Sequence, residues 1–379
     1  MPHPTQSFAL LPLLAPLAWL GVALAARRAP GPRPRPLLAL ADAAGAFTLG
    51  VAALSGMLAW RIGPATSPLL GAGGVGLAVR LDALGAVMLA LVAFIGAVVV
   101  RYSRRYLDGE ARQARFVGGL ALTLAAVMLL VVAGTLWQLA AAWIGTSLAL
   151  HRLLLFYPER PGARRAARKK FVVARLGDAA LLAALALLAL AYGTTDLGTL
   201  LARAQDALAS GVLPAGTTVA ALLLVASAAL KSAQFPTYGW LVEVMETPTP
   251  VSALLHAGIL NGGPFLVARL APAVSGAPAA MAALVLLGGA TAAIASLAMT
   301  TQPSVKVALA YSSAAHMGFS LLLCGLGAFP LAVLHVVAHS CYTAHAFLPS
   351  ASAVEGAGAG ARATPPATAP RILLGLLTA

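Results

Sequence analysis

Charge is scarce in this chain. Asp, Glu, Lys and Arg make up 9% of its 379 residues, where a soluble domain carries about 25%. That deficit excludes an ordinary water-exposed surface, and counting soluble domains by length with it. Cysteine is scarcer still. Cys324 and Cys341 are the only two, and both lie in apolar stretches, which excludes a disulfide framework and leaves two small core residues. Acidic residues number 11 against 25 Lys and Arg, for a formal charge of +14. Such a balance suits nucleic acid when the charges form a face. Here they fall in short loops between apolar stretches, the pattern of membrane orientation, so no nucleic-acid partner is expected.

What the chain has is hydrophobic length, with 60% apolar residues. A membrane span needs about 20 of them. Eleven stretches qualify: 8–26, 37–60, 81–100, 116–134, 136–156, 171–192, 217–235, 249–270, 279–300, 305–327 and 329–348. Lipid offers no water to an unpaired backbone group, so each must be helix. The expected fold is all-α: a polytopic membrane bundle of about 11 helices. Residues 1–80 form an N-terminal two-helix segment, 81–348 the main membrane domain and 349–379 an Ala/Gly/Pro-rich flexible tail. The apolar run 371–379 is too short to span, so either the chain stops there or a longer protein has been cut.

The basic loops set an orientation. Arg27, Arg28, Arg33 and Arg35 share alternate loops with Arg101, Arg104, Arg105, Arg112 and Arg115, and with Arg160, Arg164, Arg165, Arg168, Lys169 and Lys170. The opposite loops before residue 217 hold only Arg61, Arg80 and Arg203. This places the N-terminus outside and the basic loops in the cytoplasm, in the cell inner membrane. Ala23-Leu24-Ala25 offers a cleavage pattern, but Arg27 and Arg28 follow the apolar stretch and nothing basic precedes it, so a retained helix is expected.

Two motifs are decoys. Gly71-Ala72-Gly73-Gly74-Val75-Gly76 has the dinucleotide spacing, yet no strand precedes it and no acidic residue follows about 20 positions on, so it reads as a flexible outer loop. His335 and His339 are four apart, but Val336, Val337 and Ala338 between them lack the glutamate of a zincin. No metal and no cofactor is read from this sequence.

Ionisable residues inside spans are costly and functional by default. Lys231 stands in the seventh span, just before Pro236, which should break the helix. Broken membrane helices line cavities or ion sites. Snorkelling to the interface is the plainer alternative. Glu243 and Glu246 follow in an inner loop, placed to collect protons, to pair with basic loops or simply to be solvated. His256 lies in the eighth span. Lys306 opens the tenth and His316 lies further along it. His335, His339 and Tyr342 share a face of the eleventh, while His345 points elsewhere. Lone membrane histidines often only bridge helices. Several over consecutive spans, titrating near neutrality, read better as a proton relay. Arg175 and Asp178 can pair at i, i+3, and His151 sits near Arg152 toward the inner end of the fifth span.

Lys231-Ser232-Ala233-Gln234-Phe235-Pro236, Gly239-Trp240-Leu241 and Pro248 through Ala257 resemble the antiporter-like subunits of respiratory complex I, subunit L above all. Val305-Lys306, Ala310-Tyr311-Ser312, His335, Ala338-His339-Ser340 and Phe171 through Asp178 continue the likeness, over about residues 80–350. Within that family, Thr146 through Tyr157, Ala166 through Phe171 and Val242 through Glu246 look like the B subunit of the DAB inorganic-carbon transporter. The resemblance implies inverted helix repeats with broken helices, the seventh span among them, and proton or cation translocation. It implies a large zinc-containing, DabA-like partner that hydrates CO2, this chain having no catalytic centre of its own. Lys231 matches the central lysine, His256 the next histidine, Lys306 the relay lysine, and His335 with His339 the polar face beyond. Arg175, Asp178, His151, Glu243 and Glu246 are supporting candidates. Departures stand beside these matches. Ile144 occupies the place of the glutamate that pairs with the central lysine, Thr343 that of a relay lysine, and a later broken helix is missing. A respiratory or antiporter subunit and a non-conducting anchor therefore remain open.

Overall fold

Helix occupies each of the eleven expected segments in the computed structural model, which describes residues 8–29, 31–72, 75–244 and 247–351. Glu246 and the tail beyond 351 lie outside the described residues. α1 (Leu14–Ala26) is entered through a 3-10 turn and followed by α2 (Arg35–Ile62), α3 (Ala83–Tyr106), α4 (Gln113–Val131), α5 (Leu136–Leu154) and α6 (Pro161–Tyr192). Local chemistry sets several of these starts. Asp82 caps α3 by accepting the Gly85 amide at 2.8 Å, and Thr135 caps α5 by accepting that of Gln138 at 3.1 Å. Proline opens α2 and α6, where a missing N–H costs nothing.

The second half continues with α7 (Leu197–Ser210), α8 (Thr217–Lys231), α9 (Gly239–Glu243), α10 (Thr249–Leu254), α11 (Gly262–Arg269), α12 (Ala271–Ser275), α13 (Pro278–Thr300), α14 (Val305–Gly325) and α15 (Phe329–Phe347). Among the described residues, seven helices are long and apolar enough to cross a membrane, with α10 to α11 counted as one; α1 and α8 are shorter apolar helices. α13 and α14 approach closely at Gly288 and Gly318, where a Cβ on either would come within 2.7 Å of the other's carbonyl oxygen. Small residues at membrane helix contacts permit this approach.

Three details differ from the sequence expectation. α6 begins at Pro161 rather than 171, so Arg164–Lys170 are helical, not loop, residues. Hydropathy starts a span at its first apolar residue and misses a basic helical turn. The seventh span breaks as expected, with Lys231 its last helical residue. The eighth, read as one helix, is interrupted by a π turn over Leu255–Ile259. The glycine-rich outer stretch is not a structureless loop. Its strands β2 (Leu70–Ala72) and β3 (Val75–Leu77) pair antiparallel beside a second pair, β1 (Ala65–Thr66) with β4 (Arg80–Leu81). Gly73 and Gly74 lie outside the described residues.

The loops gather on two faces. Arg33 meets Asp108 at 2.8 Å and Arg112 meets Glu159 at 3.3 Å, which joins the three basic loops on one face. On the other, Val79 bridges to Ala133 and Thr135 to Asp196, and Asp82 takes an ion pair from Arg269.

Candidate ion-relay site inside the bundle

Ending α8 at Lys231 leaves its side chain free to turn into the bundle. The ammonium donates to the Trp143 carbonyl at 3.3 Å and lies 4.4 Å from the Trp143 ring centroid. A cation over an indole face is attracted by the ring quadrupole. Asp178 on α6 lies within electrostatic reach of Lys231, Lys170 and Arg175. Arg175 pairs with Asp178 at 2.5 Å along α6. One carboxylate thus faces three basic groups, so a proton on one raises the energy of a proton on its neighbours.

Lys170 belongs to this site, although the sequence reading counts it with the orienting loop charges. Its side chain is buried and donates to the Ser147 carbonyl at 2.8 Å and hydroxyl at 2.9 Å. Lys170 and Lys231 line one small cavity of about 20 Å³ with Trp240 and Leu255. A second, of about 10 Å³, lies beside Lys231 at Thr146 and Gly258. Spaces of this size hold roughly one water each.

α11 closes over the broken end of α8. A Cβ on Gly263 would lie 2.1 Å from the Ser232 hydroxyl and 2.5 Å from the Ala228 carbonyl, so only glycine fits. Ser232 donates to the Leu260 carbonyl at 2.7 Å, tying the break in the seventh span to the end of the π turn in the eighth. His256 lies within that turn, fully buried and stacked on Phe347 at 4.5 Å. Among the described residues, neither of its ring nitrogens has a hydrogen-bond partner. Such orphaned buried groups and π turns both concentrate at working sites.

Lys306 donates to the Thr249 hydroxyl at 3.1 Å, linking α14 to the start of α10. Farther along α14, His316 Nδ1 stands 3.2 Å from His335 Nε2, and its ring is 4.6 Å from that of His339. Thr343 lies 3.2 Å from the His339 ring nitrogens. Its hydroxyl both donates and accepts, so it continues the hydrogen-bonded line where lysine is missing. Asn261 donates to the Ser340 hydroxyl at 2.8 Å and joins this face to the eighth span. His345 is exposed, away from the cluster. Among the described residues, no three His, Cys, Asp or Glu side chains are grouped as metal ligands.

The supporting candidates separate. Arg175 and Asp178 belong to the lysine site. His151 packs against Phe171 at 5.0 Å, within electrostatic reach of Lys170 and Arg175. Glu243 pairs with Lys169 at 2.5 Å, the basic-partner alternative. Sequence reasoning missed Trp143 and Lys170. A tryptophan in mid-span, away from the interfacial belt, was one available signal. The other was periodic: Ala163, Ala166, Ala167, Lys170, Ala174 and Asp178 lie on one buried helical face.

A family described as NADH:quinone oxidoreductase/Mrp antiporter, TM, matches residues 133–361. The chain belongs to this family. A second family, described as NADH-Ubiquinone oxidoreductase (complex I), chain 5 N-terminus, matches residues 70–117. The chain is 45% identical over 284 residues to a probable inorganic carbon transporter subunit DabB2 of Halothiobacillus neapolitanus, covering 74% of this chain and 51% of that one. It is 34% identical over 328 residues to NADH-quinone oxidoreductase subunit L of Mycobacterium tuberculosis, covering 84% of this chain and 51% of that one. The chain thus spans about half the length of these curated relatives. Its fold is similar to a chain of the Mrp complex from Dietzia, with TM-score 0.74 and 32% identity over 88% of this chain and 36% of that one. With its apolar helices, these relatives make it a multi-pass membrane protein related to subunits of multisubunit membrane complexes.

Proposed function

We propose that this chain is the proton- or cation-translocating membrane subunit of an energy-coupled inorganic-carbon pump. The observation that carries the reading is the ammonium of Lys231 at the broken end of α8, held by Trp143 inside the bundle with Asp178 within electrostatic reach. A helix broken at a charge inside the bundle is how membrane proteins expose a site to an ion. In this reading a proton passes between Lys170 and Lys231, then by His256 and Lys306 to His316, His335, His339 and Thr343. The gaps between these groups are bridged by water or by side-chain motion. One charge crossing 100 mV is worth about 2.3 kcal/mol, comparable to one or two hydrogen bonds of the strength in this line. Small rearrangements therefore suffice to couple proton position to the membrane field.

The pump assignment rests on the 45% identity to the DabB2 subunit. It implies a large zinc-containing, DabA-like partner that carries out CO2 hydration while residues 81–348 here carry the ion. The basic face would then be cytoplasmic in the inner membrane, with the N-terminus outside. The alignment to subunit L over 84% of this chain favours a respiratory or antiporter complex as the second reading.

The test is purification of the tagged protein from its native membrane in mild detergent, with its partners identified by mass spectrometry. A large zinc-containing soluble partner is the expected result. Flavin, iron–sulfur or further antiporter-like subunits in its place would move the chain to the second reading.

A further inference from the structure

α1, α4 and α5 leave between them a groove of about 540 Å³. Its walls are apolar and include Leu20, Leu24 and Leu122. Its rim is not. Arg27 caps the C-terminal end of α1, Arg115 lies in the first turn of α4, and Arg152 in the last turn of α5. Antiparallel neighbours bring these three ends to one level, and all three arginines line the same groove. Among the described residues, none of the three is paired with a carboxylate. Other arginines on that face do find acids, Arg33 with Asp108 and Arg112 with Glu159.

We propose that this groove is a binding site for one anionic phospholipid of the surrounding bilayer. The ligand follows from the two chemistries it must satisfy at once. Guanidinium forks match phosphate oxygens two bonds at a time. Leucine walls along membrane helices match an acyl chain and offer nothing to a free, fully hydrated anion. Three unpaired positive charges around one headgroup favour net negative charge over a choline head, which brings a cation of its own. Basic pockets between membrane helices are a recognised setting for such lipids.

The full chain is purified in mild detergent and examined by native mass spectrometry, and its unfolding temperature is measured in phosphatidylcholine nanodiscs with and without phosphatidylglycerol. Wild type is expected to retain one anionic phospholipid and to unfold at higher temperature with phosphatidylglycerol. The triple variant Arg27→Gln, Arg115→Gln, Arg152→Gln should bind it about a hundredfold more weakly and lose the shift. Arg164→Gln, Arg165→Gln, Arg168→Gln, which removes the same charge elsewhere on that face, should keep both. Leu122→Trp leaves every arginine in place and fills the groove. It should also lose the lipid while eluting as a folded monodisperse species. Retention by the triple variant, equal loss in the control, or a full shift produced by inorganic phosphate alone would each overturn the proposal.

Discussion

Lys231 depends on two neighbours of different kinds. The Trp143 carbonyl and ring hold its ammonium, and Asp178 supplies the opposing charge from α6. Sequence comparison within the family left the lysine unpartnered, because Ile144 stands where a glutamate is expected. The structure brings a carboxylate of the next span, Asp178, within electrostatic reach of the lysine instead. Lys231→Met should therefore abolish ion flux in reconstituted proteoliposomes while the protein still inserts and folds. Flux equal to wild type would leave the chain a non-conducting anchor. Thr343 permits a finer test. Thr343→Val keeps the shape and removes the hydroxyl that reaches His339. One hydrogen bond worth about 1 kcal/mol is about fivefold in rate, so flux should fall by that order. Thr343→Ser should restore it. A valine variant as fast as wild type would take Thr343 out of the line.

The interrupted helices depend on close packing as much as on their prolines. Pro236 foretold the break in the seventh span, and Lys231 ends α8 five residues before it. In the eighth, Gly262-Gly263-Pro264 marks the interruption, because Pro264 has no N–H to offer the Leu260 carbonyl. That carbonyl accepts from the Ser232 hydroxyl instead, a tertiary contact that, like the fit of Gly263 against Ala228, a single-chain pattern cannot display. Periodicity was legible for Lys170, yet a hydropathy window groups Arg164–Lys170 as one basic run and hides the alanine face beneath it. Gly263→Ala tests the packing directly. Its methyl would overlap both Ser232 and the Ala228 carbonyl, so it should cost about 1–3 kcal/mol, read as a lower unfolding temperature in detergent. An unchanged unfolding temperature would mean that α8 and α11 part without strain.

Across the whole molecule, charge is sorted between two faces that are built differently. The basic face is laced by solvent-exposed pairs such as Arg33 with Asp108, which contribute little stability singly. The opposite face is held by a buried pair. Arg269 is nearly inaccessible and meets Asp82, which also accepts from Arg80 at 2.8 Å and caps α3. Asp82→Asn strands Arg269 without a carboxylate and should destabilise the protein by about 3–5 kcal/mol, whereas Asp108→Asn should change stability by less than about 1 kcal/mol. The two unfolding temperatures, measured side by side, decide it. The same sorting gives the orientation a direct test. With Cys324 and Cys341 replaced by alanine, Arg164→Cys and Ser210→Cys place one thiol on the basic face and one at the end of α7 on the other. Positive charge holds loops on the cytoplasmic side, so in intact cells an impermeant maleimide should label Ser210→Cys alone, and Arg164→Cys only after the membrane is opened. The reverse pattern would invert the proposed topology and move the Lys170 end of the relay to the outer surface, where a cytoplasmic source could no longer feed it.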